Sequence, residues 1–195
     1  MVDLALRAKV PGTAHAFVRD FHGRQVVWVE VDAEDRRGAL TSDSSSILEH
    51  AAVTALEVHV PLVCILRSSG ADIVEGFAAL HGWGRAAKAL TDCSGVVPTV
   101  LIVDGPAVSG PALLLGIADH VVMTEGSYAF VGGPTMVAEF TGVSIDNEEL
   151  GGADVVTVAG GIEEARHRVP RCAPVQRVHG SVRGGRVGPA LVLCG

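Results

Sequence analysis

A turn of small residues between an apolar run and a helix-forming run is the stretch of this chain best suited to chemistry. Residues 97–115 read VPTVLIVDGPAVSGPALLL. Residues 100–103 are β-branched or apolar, the pattern of a buried strand. Asp104, Gly105 and Pro106 punctuate it. Ser109 and Gly110 follow, and Pro111 suits the first position of a helix. Ala112 to Leu115 are helix formers, which predicts a helix over 111–119. A strand that turns into a helix through small residues leaves backbone N–H groups unpaired and directs them at one spot. With the helix dipole behind them, such groups suit a developing oxyanion. The plainer reading of the same turn is close packing against a neighbour.

The elements that would position this turn follow from hydrophobic pattern. Residues 15–18 and 25–31 read as strands joined by a turn at 20–23, with Val27, Val29 and Val31 alternating against Trp28 and Glu30. The polar stretch AEDRRGALTSDSSS reads as a loop, with Ser44 or Ser45 capping a helix over 46–58. Pro61 ends that helix. Residues 62–66 form a continuous apolar run, the mark of a strand buried on both faces. A turn at 68–71 leads to a helix over 78–90. Pro98 stops that region and the opening strand and helix follow. Short strands at 121–123 and 128–131, a turn at 132–134 and a helix beginning near Met136 complete the order. Alternating strands and helices predict an α/β fold with parallel pairing.

Composition narrows the partners. At 195 residues the chain suits one domain with a real core. Its net charge of −7 gives no support for nucleic-acid binding. No apolar run reaches membrane-span length, and no secretory signal is expected from the pattern of the first ten residues. Cys64, Cys93, Cys172 and Cys194 show no metal-ligand or redox spacing, so free thiols in a cytoplasmic setting are expected and no metal site. Residues 165–195 hold six Arg and no Asp or Glu. The expected division is therefore 1–164 as the domain and 165–195 as a basic, disordered or foreign tail.

Three segments together resemble the N-terminal half of the β subunits of biotin-dependent acyl-CoA carboxyltransferases, within the ClpP/crotonase superfamily. They are LRSSGADIVEGFAALHGWG, SGVVPTVLIVDGPAVSGPALLLGIADHVVM and FVGGPTMVAEFTGVSIDNEELGGAD. The resemblance implies a ββα superhelical core. It implies an acyl-CoA substrate held by Ser69, Gly70, Ala71, Val108, Gly132 and Gly133. It also implies an oxyanion hole for the thioester enolate, made from backbone amides of Ser109 and Gly110 and of Gly70 or Ala71. No cofactor is expected on the chain itself. Biotin would come on a carrier partner, with a biotin carboxylase, in a homo- or hetero-oligomer.

The chain departs from that pattern in places. Ser109 stands where the family has the first Gly of a Gly-Gly pair, and Ser tolerates positive φ poorly, so a distorted loop is expected. Asp72 replaces an Arg, which puts an anion near a site for polyanionic CoA. Val155 replaces a His. Three other readings stay open: a non-catalytic subunit of the same fold, a biotin-independent acyl-CoA decarboxylase or crotonase-like enzyme, and a ClpP-like hydrolase using Ser109. The last needs a base in reach. Val131 or Gly132 stands where that pattern has His. His81 and His120 are the nearest substitutes, with His120 expected to end the 111–119 helix. Glu75 is expected to anchor the turn after Gly70. Asp146, Glu148 and Glu149 are expected to form a solvated acidic face.

Overall fold

Strand pairing follows the apolar runs. A computed structural model describes residues 14–33 and 36–160, with the backbone alone for 157–160. Residues 1–13 and the basic tail, with Cys172 and Cys194, lie outside the described residues. Strands β1 (Ala14–Phe21) and β2 (Arg24–Val31) form an antiparallel hairpin, closed by His22 and Gly23 at positive φ. Helix α1 (Ser42–Val58) crosses to β3 (Leu62–Ser68), and α2 (Phe77–Cys93) crosses to β4 (Thr99–Val108). Strands β2, β3 and β4 pair in parallel, and β5 (His120–Met123) joins β4 in the same sense. The sheet order is β1-β2-β3-β4-β5, and the short strand β6 (Tyr128–Phe130) pairs with the far end of β4.

Both faces of the central strands are buried, as the apolar runs predict. Val27, Val29, Cys64, Leu66, Leu101 and Val103 face α1 and α2, where Ala51, Ala52, Ala55, Ala86 and Ala89 keep helix and sheet close. Trp28, Ile65, Val100, Ile102 and Val122 form a second cluster on the opposite face. Burial pushes the Cys64 thiol up to about 12, and it is a free cysteine.

Several boundaries differ from the sequence reading. Helix α1 begins at Ser42, because Thr41 rather than Ser44 or Ser45 is its cap: the Thr41 hydroxyl accepts the Ser44 N–H at 3.0 Å. Its end is set by His59 in the left-handed conformation, ahead of Pro61. Strand β4 does not stop at Asp104. It runs to Val108 through an irregularity, since Leu66 pairs with Val103 but Ser68 with Ala107, and Gly105 takes φ 139° within it. The predicted 111–119 helix is one α-turn, α3 (Gly110–Leu113), followed by a 3-10 turn at Leu114–Gly116. His120 starts β5 instead of ending a helix. Helices α4 (Pro134–Thr141), α5 (Asn147–Gly151) and α6 (Ala153–Gly160) complete the described chain. Asp146 and Glu149 form a capping box on α5, so two of the three acidic residues there have a structural task.

Candidate functional site

The two turns singled out in the sequence meet. Strands β3 and β4 are parallel neighbours, so Ser69-Gly70-Ala71 and Ser109-Gly110 leave the sheet at the same edge. Gly70 makes the contact. A Cβ added there would lie 3.2 Å from the Val108 carbonyl oxygen and 3.4 Å from the Ser109 Cβ, and Gly70 has φ 106°. Both the approach and the backbone conformation therefore call for glycine.

Hydrogen bonding sorts the amides of the first turn. The Ser69 N–H donates to the Arg37 carbonyl at 3.1 Å. The Gly70 N–H donates to the Ser68 hydroxyl at 3.2 Å, and that hydroxyl donates to the Gly38 carbonyl at 2.7 Å. Leu40 donates to the Gly70 carbonyl at 2.8 Å and accepts from Asp72 N–H at 2.9 Å. Leu40 thus forms a parallel bridge centred on Ala71. In such a bridge the flanking residues reach the partner, and the central residue turns its own N–H to the other side. The Ala71 amide has no partner among the described residues.

The second turn sorts the same way. Ser109 takes φ 63°, ψ −122°, and its N–H donates to the Phe130 carbonyl at 2.9 Å. The loop keeps the glycine-like geometry and the serine carries the strain, in place of the expected distortion. The Ser109 amide is committed, which corrects its expected role as an oxyanion donor. Gly70 is corrected likewise, because its amide is turned to Ser68. The Gly110 amide, with no partner among the described residues, is left with that of Ala71. The single α-turn of α3 supplies little dipole, so the Gly110 amide itself is what this turn offers.

Neighbouring elements hold the turns in place. A Cβ on Gly110 would fall 2.5 Å from the Trp83 indole, which fills that space from α2, its buried Nε1 without a partner among the described residues. Gly132 and Gly133 link β6 to α4, just beyond the Phe130 carbonyl that anchors Ser109. The ELGGA segment abuts the same strand. A Cβ on Gly151 would sit 2.2 Å from the Ala129 carbonyl, and Gly152 bridges Tyr128. That segment buttresses β6 and so helps set Ser109, a role that spacing alone did not reveal. Val155 lies in α6, partly exposed.

The charges near the turn are paired. Asp72 is buried and forms an ion pair with Arg36. The Arg36 guanidinium and the Val74 N–H hold its carboxyl below the ordinary carboxylate range. The anion expected near the CoA site is therefore half of an ion pair. Exposed Arg37 stands beside it, with its carbonyl on Ser69. Arg67 binds Asp104 through two nitrogens, and Thr124 donates to the same carboxylate at 3.0 Å. Glu75 anchors the turn, accepting the Ser42 N–H at 2.7 Å. No group of His, Cys, Asp or Glu suited to a metal occurs among the described residues.

Neither candidate base reaches Ser109. His120 pairs with Val100, eight residues before Val108 on β4, which is roughly 25 Å at about 3.3 Å per strand residue. His81 is exposed, two residues from Trp83 and so on a different side of α2.

A carboxyl transferase domain model matches residues 20–168. The chain belongs to the carboxyl transferase domain family. It is 36% identical over 131 residues to the propionyl-CoA carboxylase beta chain of Rhodococcus erythropolis, covering 67% of this chain and 28% of that protein. It is 30% identical over 141 residues to the methylmalonyl-CoA carboxyltransferase 12S subunit of Propionibacterium freudenreichii subsp. shermanii, covering 72% and 27%. A solved transcarboxylase 12S structure, a hexamer with methylmalonyl-coenzyme A bound, superposes with a TM-score of 0.77 at 27% identity, over 80% of this chain and 30% of that one. The fold is the α/β crotonase type expected from the sequence. The chain spans less than a third of the length of these relatives.

Proposed function

We propose that the chain is the acyl-CoA-binding part of a carboxyltransferase of a biotin-dependent acyl-CoA carboxylase. In this reading the amides of Ala71 and Gly110 hold the thioester oxygen. Loss of a proton from the α-carbon moves the electron pair toward that oxygen, and two fixed N–H donors stabilise the charge without reorganising. The α-carbon then forms its bond to the carboxyl carbon as the bond from that carbon to the biotin nitrogen breaks, and the α-proton ends on that nitrogen, the biotin being brought by a carrier partner. The observation that carries the reading is the contact of two strand-end turns at Gly70, each with one uncommitted amide. Arg37, beside the first turn, suits a CoA phosphate. Ile73, Val74 and Phe77 after the first turn, with Met136 and Phe140 on α4, are exposed apolar side chains. They suit a pantetheine arm or an oligomer partner bringing the biotin half, and the free buried thiols of Cys64 and Cys93 suit a cytoplasmic setting.

Titration calorimetry tests the reading. Acetyl-CoA and propionyl-CoA should bind more tightly than free CoA, because only they offer a thioester oxygen. Equal affinity for all three, or no heat at millimolar ligand, would contradict it.

A further inference from the structure

We infer that the Ser109 side-chain hydroxyl is a third donor to the thioester oxygen, standing beside the amides of Ala71 and Gly110. The inference rests on the acyl-CoA reading above and adds a residue to it.

Ser109 holds φ 63°, ψ −122°, a conformation that glycine adopts freely and an L side chain only with strain. Its N–H donates to Phe130 and its carbonyl accepts from Ala112 N–H at 3.1 Å. Glycine would make the same two bonds. What serine adds is a Cβ and a hydroxyl. The Cβ leans toward the first turn, 3.4 Å from where a Gly70 side chain would begin. The next residue in sequence is Gly110, with its uncommitted amide. The side chain thus projects from the place where the two turns touch. Ser109 is exposed, and its side-chain hydroxyl has no partner among the described residues.

A hydroxyl rotates to suit an acceptor and donates while neutral. With His81 and His120 out of reach, neither candidate base removes its proton, so it acts as a donor and not as a nucleophile. It would add a hydrogen bond to the oxygen on which enolate charge gathers.

The test compares acetyl-CoA with S-ethyl-CoA, a thioether that lacks the carbonyl oxygen. Calorimetry on the full chain gives the ratio of the two affinities. Ser109→Ala and Ser109→Gly should each lower the preference for acetyl-CoA about threefold to tenfold, the scale of one neutral hydrogen bond. Affinity for the thioether should stay constant. The two variants should part in thermal melting: Ser109→Gly melts higher than wild type, because glycine relieves the strain, whereas Ser109→Ala keeps it. A purely structural role would move both ligands together. An unchanged preference in both variants overturns the hydroxyl role and leaves the proposed function standing. A wild-type chain with no preference for acetyl-CoA overturns both.

Discussion

Ser109 gives its backbone N–H to the carbonyl of Phe130 at 2.9 Å, tying the end of β4 to β6 across 21 residues of sequence. The bond removes that amide from the donors available to a ligand. It also fixes the direction in which Gly110 leaves the strand. Ser109→Pro should therefore fail as a fold and not only as a site. Proline lacks the N–H and locks φ near −65°, against 63° here. The expected loss is about 3 kcal/mol or more, read as the denaturation midpoint. A Ser109→Pro chain with the wild-type midpoint would show that the Phe130 bond does not shape the turn.

Gly110 and Trp83 should be coupled. Gly110→Ala drives a methyl to within 2.5 Å of the indole and should cost about 1–3 kcal/mol by overpacking. Trp83→Leu made alone opens a void. Made together, the two changes should be less damaging than their sum, because the smaller side chain vacates the space the methyl needs. Additive losses in urea denaturation would mean that the contact carries no strain.

Asp72 should give stability a defined acid limit. The Arg36 guanidinium, with the Val74 N–H, lowers its pKa from 3.8 in the folded chain. The folded state thus favours the carboxylate more than the unfolded state does. The stability it contributes is present in full above the unfolded value and fades as pH falls through the depressed folded value. Asp72→Asn should melt below wild type at pH 7 and converge with it toward pH 2. A gap that persists unchanged at pH 2 would show that the ion pair is not its source.

The sheet was legible because β3 and β4 are apolar on both faces, and continuous runs betray such strands. The convergence of the two turns was legible too, since parallel neighbours end at the same edge. What escaped was set by distant partners. The row Thr41 to Ser46 offers several cap oxygens in six residues, and packing of Ser44 and Ser45 inside α1 decides for Thr41. The 111–119 helix looked continuous by propensity, but it gives way to a 3-10 turn after Leu113, and Leu114 is buried in the core. Which amides stay free could not be read locally. Ser109 loses its N–H to Phe130, and Gly70 loses its own to the Ser68 hydroxyl. Neither bond leaves a trace in spacing.

The most direct measurement of the central claim is amide NMR of the chain titrated with acetyl-CoA and, separately, with S-ethyl-CoA. The amide protons of Ala71 and Gly110 should move downfield with acetyl-CoA and much less with the thioether. Those of Gly70 and Ser109, bonded within the protein, should shift little with either. Saturating acetyl-CoA that leaves Ala71 and Gly110 unmoved, or moves them no more than the thioether does, would contradict the account.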